Sequence, residues 1–281
     1  MRTIQYADIV TAVRSMCIEA AYVLPDDVLV RIKEARAAEP FQRAQSILDD
    51  IIENARVASG RRIPICQDTG TAVFFVEMGD GARIDGGGLI DAVNEGVRLG
   101  YTDGYLRPSI VDDPIFDRIN TGANTPAVVH VDPVAGDKLS ITLLPKGAGC
   151  ENMSALAMLK PSEGSAGVAK FVCDAVIRAG GNTCPPVVVG VGVGGTADAV
   201  CALAKKALLR PLGVHNADGR YAQIERYLIK EINASGVGPQ GLGGMHTALW
   251  VAVEYMPCHI ASMPVAVCMN CHAARRASVE L

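Results

Sequence analysis

Aromatic and charged residues are both scarce in this chain of 281 residues, at 5% and 20% of the sequence. No basic run is interleaved with aromatic residues and the net charge is -4, so the composition argues against nucleic acid as a partner. No stretch approaches the roughly 18 apolar residues that a membrane span needs. Asp8 and Arg14 interrupt the first part of the chain, and we therefore expect no signal peptide.

Hydrophobic residues, by contrast, make up 49% of the chain, which is enough for a large core. With so few charges, we expect part of the apolar surface to be covered by a partner. The nine cysteines cannot all pair within one chain because their number is odd. In the absence of a secretion signal they predict reduced thiols and a cytoplasmic location.

The hydrophobic periodicity predicts a helix-rich, mixed α/β (α+β) fold with a central mixed β-sheet. We expect one domain over residues 1–281, in which a helical layer (about 1–60) precedes an α/β part (about 61–281). The predicted helices cover residues 4–24, 26 onward, 41–57, 89–99, 153–159, 166–179, 196–209 and 223–234. The predicted strands cover residues 71–76, 127–131, 138–144, 187–189 and 264–267.

A formal G-x-G-x-x-G pattern occupies Gly190–Gly195, after a Val-rich strand and before a helix. A dinucleotide site also needs an acidic residue about 20 positions further on, at the end of a second strand. The segment from Leu208 to Gly213 offers neither an acid nor a strand. We therefore interpret the glycines as a turn that lets the backbone approach a bound group closely.

Three cysteines lie among turn-forming and polar residues rather than in apolar stripes: Cys66, Cys184 and Cys271. Thiolates from separate loops can bind an iron–sulfur cluster and leave one iron open for chemistry. Zinc held by the same cysteines with His259 or His272 is the alternative. The four other cysteines predicted to lie in the core are Cys17, Cys173, Cys201 and Cys258.

Several motifs together resemble the class I, iron–sulfur fumarase family, which includes fumarate hydratase and L-tartrate dehydratase. They are Ile65-Cys66-Gln67-Asp68-Thr69-Gly70-Thr71, Lys146 to Asn152, Gly190 to Asp198, and Ala261 to Val267. The resemblance covers nearly the whole chain and implies the fold of that family's N-terminal domain. Single-chain members carry a further C-terminal domain, so the resemblance implies an α subunit that needs a separate β subunit, in an α2β2 assembly.

The resemblance implies a [4Fe-4S] cluster bound by Cys66, Cys184 and Cys271. Cys268 is a rival for the third position because Cys268-x-x-Cys271 looks like a ligand pair, and Cys150 is a second rival. The segment after Cys271 matches the family's closing motif, which favours Cys271.

The resemblance also implies roles for five further residues. Asp68 and His259 would handle the proton of the hydroxyl group that leaves or enters. Gln67, Arg107 and Gly149 would contact a C4 dicarboxylate substrate. The residues alone leave alternatives open: Asp68 also suits a turn, and Arg107 also suits a solvated loop, although Arg matches the geometry of a carboxylate.

The resemblance therefore implies a hydro-lyase, with fumarate and (S)-malate as first choice, tartrate second and mesaconate third. A non-catalytic iron–sulfur or zinc protein that senses or scaffolds is the hypothesis from another class. Such a protein would not need a dicarboxylate-binding Arg or an acid beside its ligand.

Overall fold

A computed structural model describes residues 2–281 and divides the chain into two compact units. The first unit comprises the residues up to Leu24, Asn54–Ala148 and Arg275–Leu281, and the second comprises Pro25–Glu53 and Gly149–Ala274. Across residues 2–281, no helix is both long enough and apolar enough to cross a membrane.

The elements in chain order are β1 (Arg2–Gln5), α1 (Tyr6–Tyr22), α2 (Asp26–Ala38), α3 (Gln42–Arg61), β2 (Thr71–Gly79), β3 (Ala82–Asp85), α4 (Leu89–Asp103), β4 (Val128–Val134), β5 (Leu139–Lys146), α5 (Ala148–Glu151), β6 (Ala155–Leu159), α6 (Gly164–Ala179), β7 (Val187–Gly195), α7 (Ala197–Ala207), α8 (Gly219–Ala234), β8 (Ala248–Cys258), β9 (Met263–Asn270) and β10 (Ala277–Glu280). Short 3₁₀ turns cover Pro161–Glu163, Gly180–Thr183 and Pro239–Gly241. The mixed α/β class is confirmed.

The first unit contains a four-stranded sheet in the order β10-β5-β2-β4. Strand β2 is parallel to β4 and antiparallel to β5, which is antiparallel to β10. Helices α1 and α4 belong to the same core as β2 and β5. Glycines let the two helices approach closely, because a Cβ added at Gly96 would lie 2.6 Å from the Cβ of Val13.

The second unit contains a four-stranded sheet in the order β6-β9-β7-β8. Its central pairings repeat those of the first sheet: β7 is parallel to β8 and antiparallel to β9, which is antiparallel to β6. Helices α6 and α8 share a core with one face of β7, which carries Val187, Val189 and Val191. Each unit thus contains one four-stranded mixed sheet, and β1 pairs with β3 in a separate, parallel two-stranded sheet.

The G-x-G-x-x-G segment lies within β7, so the interpretation as a turn beside a bound group is wrong. A Cβ added at Gly190 would lie 2.2 Å from the Ala204 carbonyl oxygen, and one at Gly192 would lie 2.5 Å from that of Val200. These glycines therefore let helix α7 lie directly on the strand.

Two further expectations differ from the structure. The helix predicted for residues 153–159 is strand β6, whose exposure alternates along the chain. Apolar side chains on both of its faces concealed that alternation in the sequence.

Of the cysteines predicted for the core, Cys17 is buried and Cys173 half-buried, but Cys201 and Cys258 are exposed. The helices predicted for residues 1–60 are present and divide between the two units.

Candidate active site

Three predicted site residues of the first unit lie at one end of its sheet, where strand β2 begins. Cys66, Gln67 and Asp68 precede β2, and the paired residues Thr71 and Lys146 mark the end of the sheet where β2 begins and β5 finishes. The second unit places Cys184 before β7 and Cys271 after β9 in the same way. Loops at the ends of strands can present side chains without interrupting the hydrogen bonds between the strands, which suits a functional site.

The loop after Cys66 is held by buried side chains that bind three consecutive carbonyl groups. Arg275 Nη2 donates to the Asp68 carbonyl (2.8 Å), and the Tyr101 hydroxyl lies 3.1 Å and 2.9 Å from those of Thr69 and Gly70. Asn124 Nδ2 also donates to the Gly70 carbonyl (3.1 Å). These three side chains are at most 5% exposed, so the loop backbone is fixed before any ligand arrives.

The Asp68 carboxyl group is oriented by two backbone N–H groups. Oδ1 accepts from Gly70 at 3.1 Å, which is the predicted turn, and Oδ2 accepts from Ala148 at 2.8 Å. A Cβ added at Gly147 would lie 3.0 Å from Oδ2, so this glycine gives the carboxyl group room. Asp68 is half-buried, which leaves part of the group accessible.

Arg275 carries a buried guanidinium group with two nitrogen atoms that lack hydrogen-bond partners within residues 2–281. It is 3% exposed, and its Nε and Nη1 atoms have no hydrogen-bond partner among residues 2–281. Burying an ion costs several kcal/mol, and donors left without partners add to that cost. An anionic group bound near this guanidinium would lower that cost, so the first unit is electrostatically suited to a negatively charged ligand.

Gln67 and Arg107 are both exposed. The Thr69 hydroxyl donates to the Arg107 carbonyl (2.7 Å), which ties the long loop after α4 to the Cys66 loop. The Gln67 Oε1 atom lies 3.8 Å from the Cys66 thiol. The first unit therefore brings together Cys66, Gln67, Asp68 and the backbone of Arg107.

The second unit joins the loops of Cys184 and Cys271. The backbone N–H of His272 donates to the Cys184 carbonyl (3.3 Å), and Cys184 has a left-handed backbone (φ 50°, ψ 62°). A non-glycine residue in that conformation is strained, and such strain is typical of functional positions. Gly149 also lies here, because a Cβ added to it would approach the Asn182 carbonyl to 3.1 Å.

The two rival cysteines are buried. Cys268 is 2% exposed within β9 and lies 3.6 Å from the Ser154 hydroxyl. Cys150 is 5% exposed and its thiol lies 3.3 Å from the Thr183 carbonyl. Cys184 is exposed and Cys271 is half-buried, so these two are more accessible to a ligand.

His259 is separated from both cysteines of its unit. It follows β8, which runs parallel to β7, so it lies at the end of the sheet where β7 finishes, whereas Cys184 precedes the start of β7. At about 3.3 Å per residue over the length of β7, this separation is roughly 25 Å. The His259 ring accepts a hydrogen bond from the Ala261 N–H at 3.1 Å in the exposed loop between β8 and β9.

No three His, Cys, Asp or Glu side chains of residues 2–281 form a group that could hold a metal ion. Cys66 belongs to the first unit, and Cys184 and Cys271 belong to the second. No cysteine in that range forms a disulfide, so all the thiols retain the chemistry that iron or zinc requires.

A groove of about 1080 Å³ in the second unit lies between α6 and α8 and contains none of the predicted site residues. Its lining is largely apolar and aromatic, including the stacked rings of Tyr221 and Tyr255. We therefore place the candidate site residues in the loops at the ends of the strands rather than in this groove.

Sequence reasoning missed the residues that hold the loops. These are Tyr101, Asn124 and Arg275 in the first unit, and Gln240 in the second, whose Nε2 donates to the Pro185 carbonyl (3.0 Å). Arg275 lies in the closing motif that follows Cys271, and only this position in the sequence could have indicated a role for it. Its contact with Asp68 spans 207 residues of sequence, which no local pattern reveals.

Comparison with known proteins identifies the family of this chain. The family model described as "Fumarate hydratase (Fumerase)" matches residues 10–280. The chain is 42% identical over 263 residues to the "Putative L(+)-tartrate dehydratase subunit alpha" of Methanocaldococcus jannaschii, covering 92% of each protein. It is 34% identical over 262 residues to the L(+)-tartrate dehydratase subunit alpha of Escherichia coli UTI89, covering 92% of this chain and 86% of that protein. The chain therefore belongs to the fumarate hydratase family of hydro-lyases.

Proposed function

We propose that this chain is the α subunit of a [4Fe-4S]-dependent hydro-lyase acting on a C4 dicarboxylate, with L(+)-tartrate as first substrate and malate or fumarate as second. The observation that carries the proposal is the Cys66–Asp68 loop, in which a thiol, an amide and an oriented carboxyl group follow one another on a fixed backbone. The names of the relatives favour tartrate, which reverses the order of substrates expected from the sequence.

The chain's donors fit an iron–sulfur cluster. Cys66, Cys184 and Cys271 would hold it, since thiolates are the soft ligands that such clusters prefer. The burial of Cys268 and Cys150 supports this choice of ligands, and the buried charge of Arg275 suits an anionic group. When bound, the cluster supplies a Lewis-acidic iron that weakens the C–O bond of the substrate hydroxyl.

Asp68 exchanges the proton of the hydroxyl group that leaves or enters. Its carboxyl group is held by the Gly70 and Ala148 N–H groups, so its orientation does not depend on substrate. Arg107 and Gln67 bind substrate carboxylate, for which an exposed guanidinium and amide are suited. Gly149 offers its backbone beside the Cys184 loop.

His259 lies at the far end of the second sheet from Cys184 and Cys271, so it cannot serve them within one chain. We propose that it acts on the site of a second copy, which an α2β2 assembly provides. The exposed loop between β8 and β9 supports this role, because the neighbouring Ile260 is 92% exposed.

Complementation between two inactive variants tests this placement. When Asp68→Asn and His259→Ala chains are co-expressed, mixed dimers carry one intact site, and random pairing restores about a quarter of wild-type activity. If His259 acts within its own chain, no intact site forms and activity stays at the level of the single variants.

The partner is a β subunit, as the names of the relatives imply for those proteins. It supplies the base that removes the carbon-bound proton and further carboxylate-binding cations. We therefore expect this chain alone to be inactive or nearly so.

The test is an anaerobic assay of this chain co-expressed with its β subunit and reconstituted with iron and sulfide. Oxaloacetate formation from L(+)-tartrate supports the proposal with tartrate as substrate, and a change in fumarate absorbance with malate supports the second choice. Asp68→Asn should lower kcat by about 10²–10⁴-fold, while Cys201→Ser, an exposed cysteine on α7, should retain activity. A colourless complex containing zinc would contradict the proposal.

A further inference from the structure

We infer that Gln240 is a positioning residue that sets the spacing of the Cys184 and Cys271 loops. The inference rests on the proposed function, in which these cysteines hold a cluster. Gln240 lies in the Gly-rich segment before β8 and is not one of the predicted ligands or substrate contacts.

Gln240 binds the residue after each of the two cysteines. Its backbone N–H and its side-chain Nε2 lie 2.7 Å and 3.0 Å from the Pro185 carbonyl oxygen. Nε2 also lies 3.0 Å from Nδ1 of His272. A side-chain amide nitrogen carries two hydrogens, so one can serve Pro185 while the other serves His272.

This arrangement also selects the form of the His272 ring. Nδ1 lies 3.0 Å from the Cys184 carbonyl as well, but it cannot donate there while it accepts from Gln240. The backbone N–H of His272 already donates to that carbonyl at 3.3 Å. Gln240 thus favours the tautomer with its hydrogen on Nε2, and the two loops meet through one amide group.

The backbone of Gln240 has a conformation that is strained for a residue with a side chain. Its φ of 54° and ψ of 16° are left-handed, a conformation that glycine adopts without strain. Glycines occupy nearby positions of this loop, yet residue 240 carries an amide. Such strain persists where the surroundings hold it in place.

Close packing keeps the segment against the Cys184 turn. A Cβ added at Gly241 would lie 2.6 Å from the Cα of Gly181, three residues before Cys184. The backbone of the segment is therefore held independently of the amide, and a variant that removes only the amide should still fold.

The experiment compares Gln240→Ala and Gln240→Gly with Gln45→Ala. The glycine variant removes the amide and relieves the left-handed strain, so it keeps the test valid if the alanine variant folds poorly. Gln45→Ala is the matched control, because Gln45 Nε2 also donates to a backbone carbonyl, that of Glu39 (2.6 Å), in the same unit.

In the apo full-length chain, the alkylation rates of Cys184, Cys271 and Cys66 are measured by mass spectrometry. In the reconstituted complex, the rate of iron loss to a chelator is measured. We expect both Gln240 variants to alkylate Cys184 and Cys271 several-fold faster, to leave Cys66 unchanged and to lose iron several-fold faster. Gln45→Ala should match wild type in all of these.

Wild-type alkylation rates at Cys184 and Cys271 in both Gln240 variants would overturn the inference. The alkylation assay needs no cluster, so it separates the two proposals. If the wild-type complex binds no iron but the variants still expose both thiols, the proposed cofactor is wrong and the positioning role stands.

Discussion

Tyr101→Phe removes one hydroxyl group from the set of buried side chains that fixes the Cys66 loop. The hydroxyl donates toward the carbonyls of Thr69 and Gly70, and burial raises the pKa of Tyr101 well above its ordinary value, so it remains a donor at neutral pH. The Gly70 carbonyl keeps its bond from Asn124, whereas the Thr69 carbonyl loses the donor that Tyr101 supplies.

The expected cost follows from that difference. A buried acceptor left without its donor costs about 1–3 kcal/mol, and the ring stays in place because Phe fills the same space. With roughly 2–4 °C of melting temperature per kcal/mol in a chain of this size, the midpoint should fall by several degrees. The loosened loop should also expose Cys66, which is half-buried.

Tyr22→Phe provides the matched control. Tyr22 is also buried in the first unit, but its hydroxyl donates to the Gly104 carbonyl (2.8 Å) and not to a carbonyl of residues 66–70. Both variants should lower the thermal midpoint, but only Tyr101→Phe should speed alkylation of Cys66 in the apo chain. Equal Cys66 rates in the two variants would refute the view that Tyr101 fixes this loop.

Two further predictions concern glycine and cysteine positions of the same unit. Gly70→Ala should lower the free energy of unfolding in urea by about 2–4 kcal/mol, because its φ is +80° and the new Cβ would lie 2.8 Å from the Lys146 backbone. Gly122→Ala, at φ +72° with nothing within 4 Å, should cost only about 1–2 kcal/mol, and equal losses would contradict the steric argument. Burial raises the pKa of the Cys17 thiol to about 12. The unfolded state releases this proton first, so unfolding free energy should fall as pH rises above about 9, and Cys17→Ala should make that fall shallower in urea titrations at several pH values. An unchanged slope would show that Cys17 does not titrate in this way.

Local patterns predicted most of the helices correctly. Ile9, Val13 and Cys17 recur at helical spacing, and all three are buried in α1. The same reasoning failed at β6, whose apolar residues on both faces resemble a helix, and it did not find β8. A short apolar run does not reveal its period, so its neighbours in the sheet decide its conformation.

Only part of the candidate site could be predicted from the sequence. The turn-rich surroundings of Cys66, Cys184 and Cys271 identified them as loop residues, and the structure places all three outside strands and helices. The contact of Arg275 with Asp68 and those of Gln240 with Pro185 and His272 depend on how distant segments pack. Strand direction likewise decides the place of His259: it is close to Cys271 in sequence but lies at the other end of the sheet.

The ligand set is tested most directly by the iron and sulfide content of single cysteine variants, purified anaerobically with the β subunit. Cys66→Ser, Cys184→Ser and Cys271→Ser should each lose the cluster and its absorbance, because each removes one thiolate ligand. Cys268→Ser and Cys150→Ser should keep it, since both thiols are buried whereas Cys184 is exposed and Cys271 half-buried. Full iron content in any of the first three, or loss of the cluster in Cys268→Ser, would contradict the assignment.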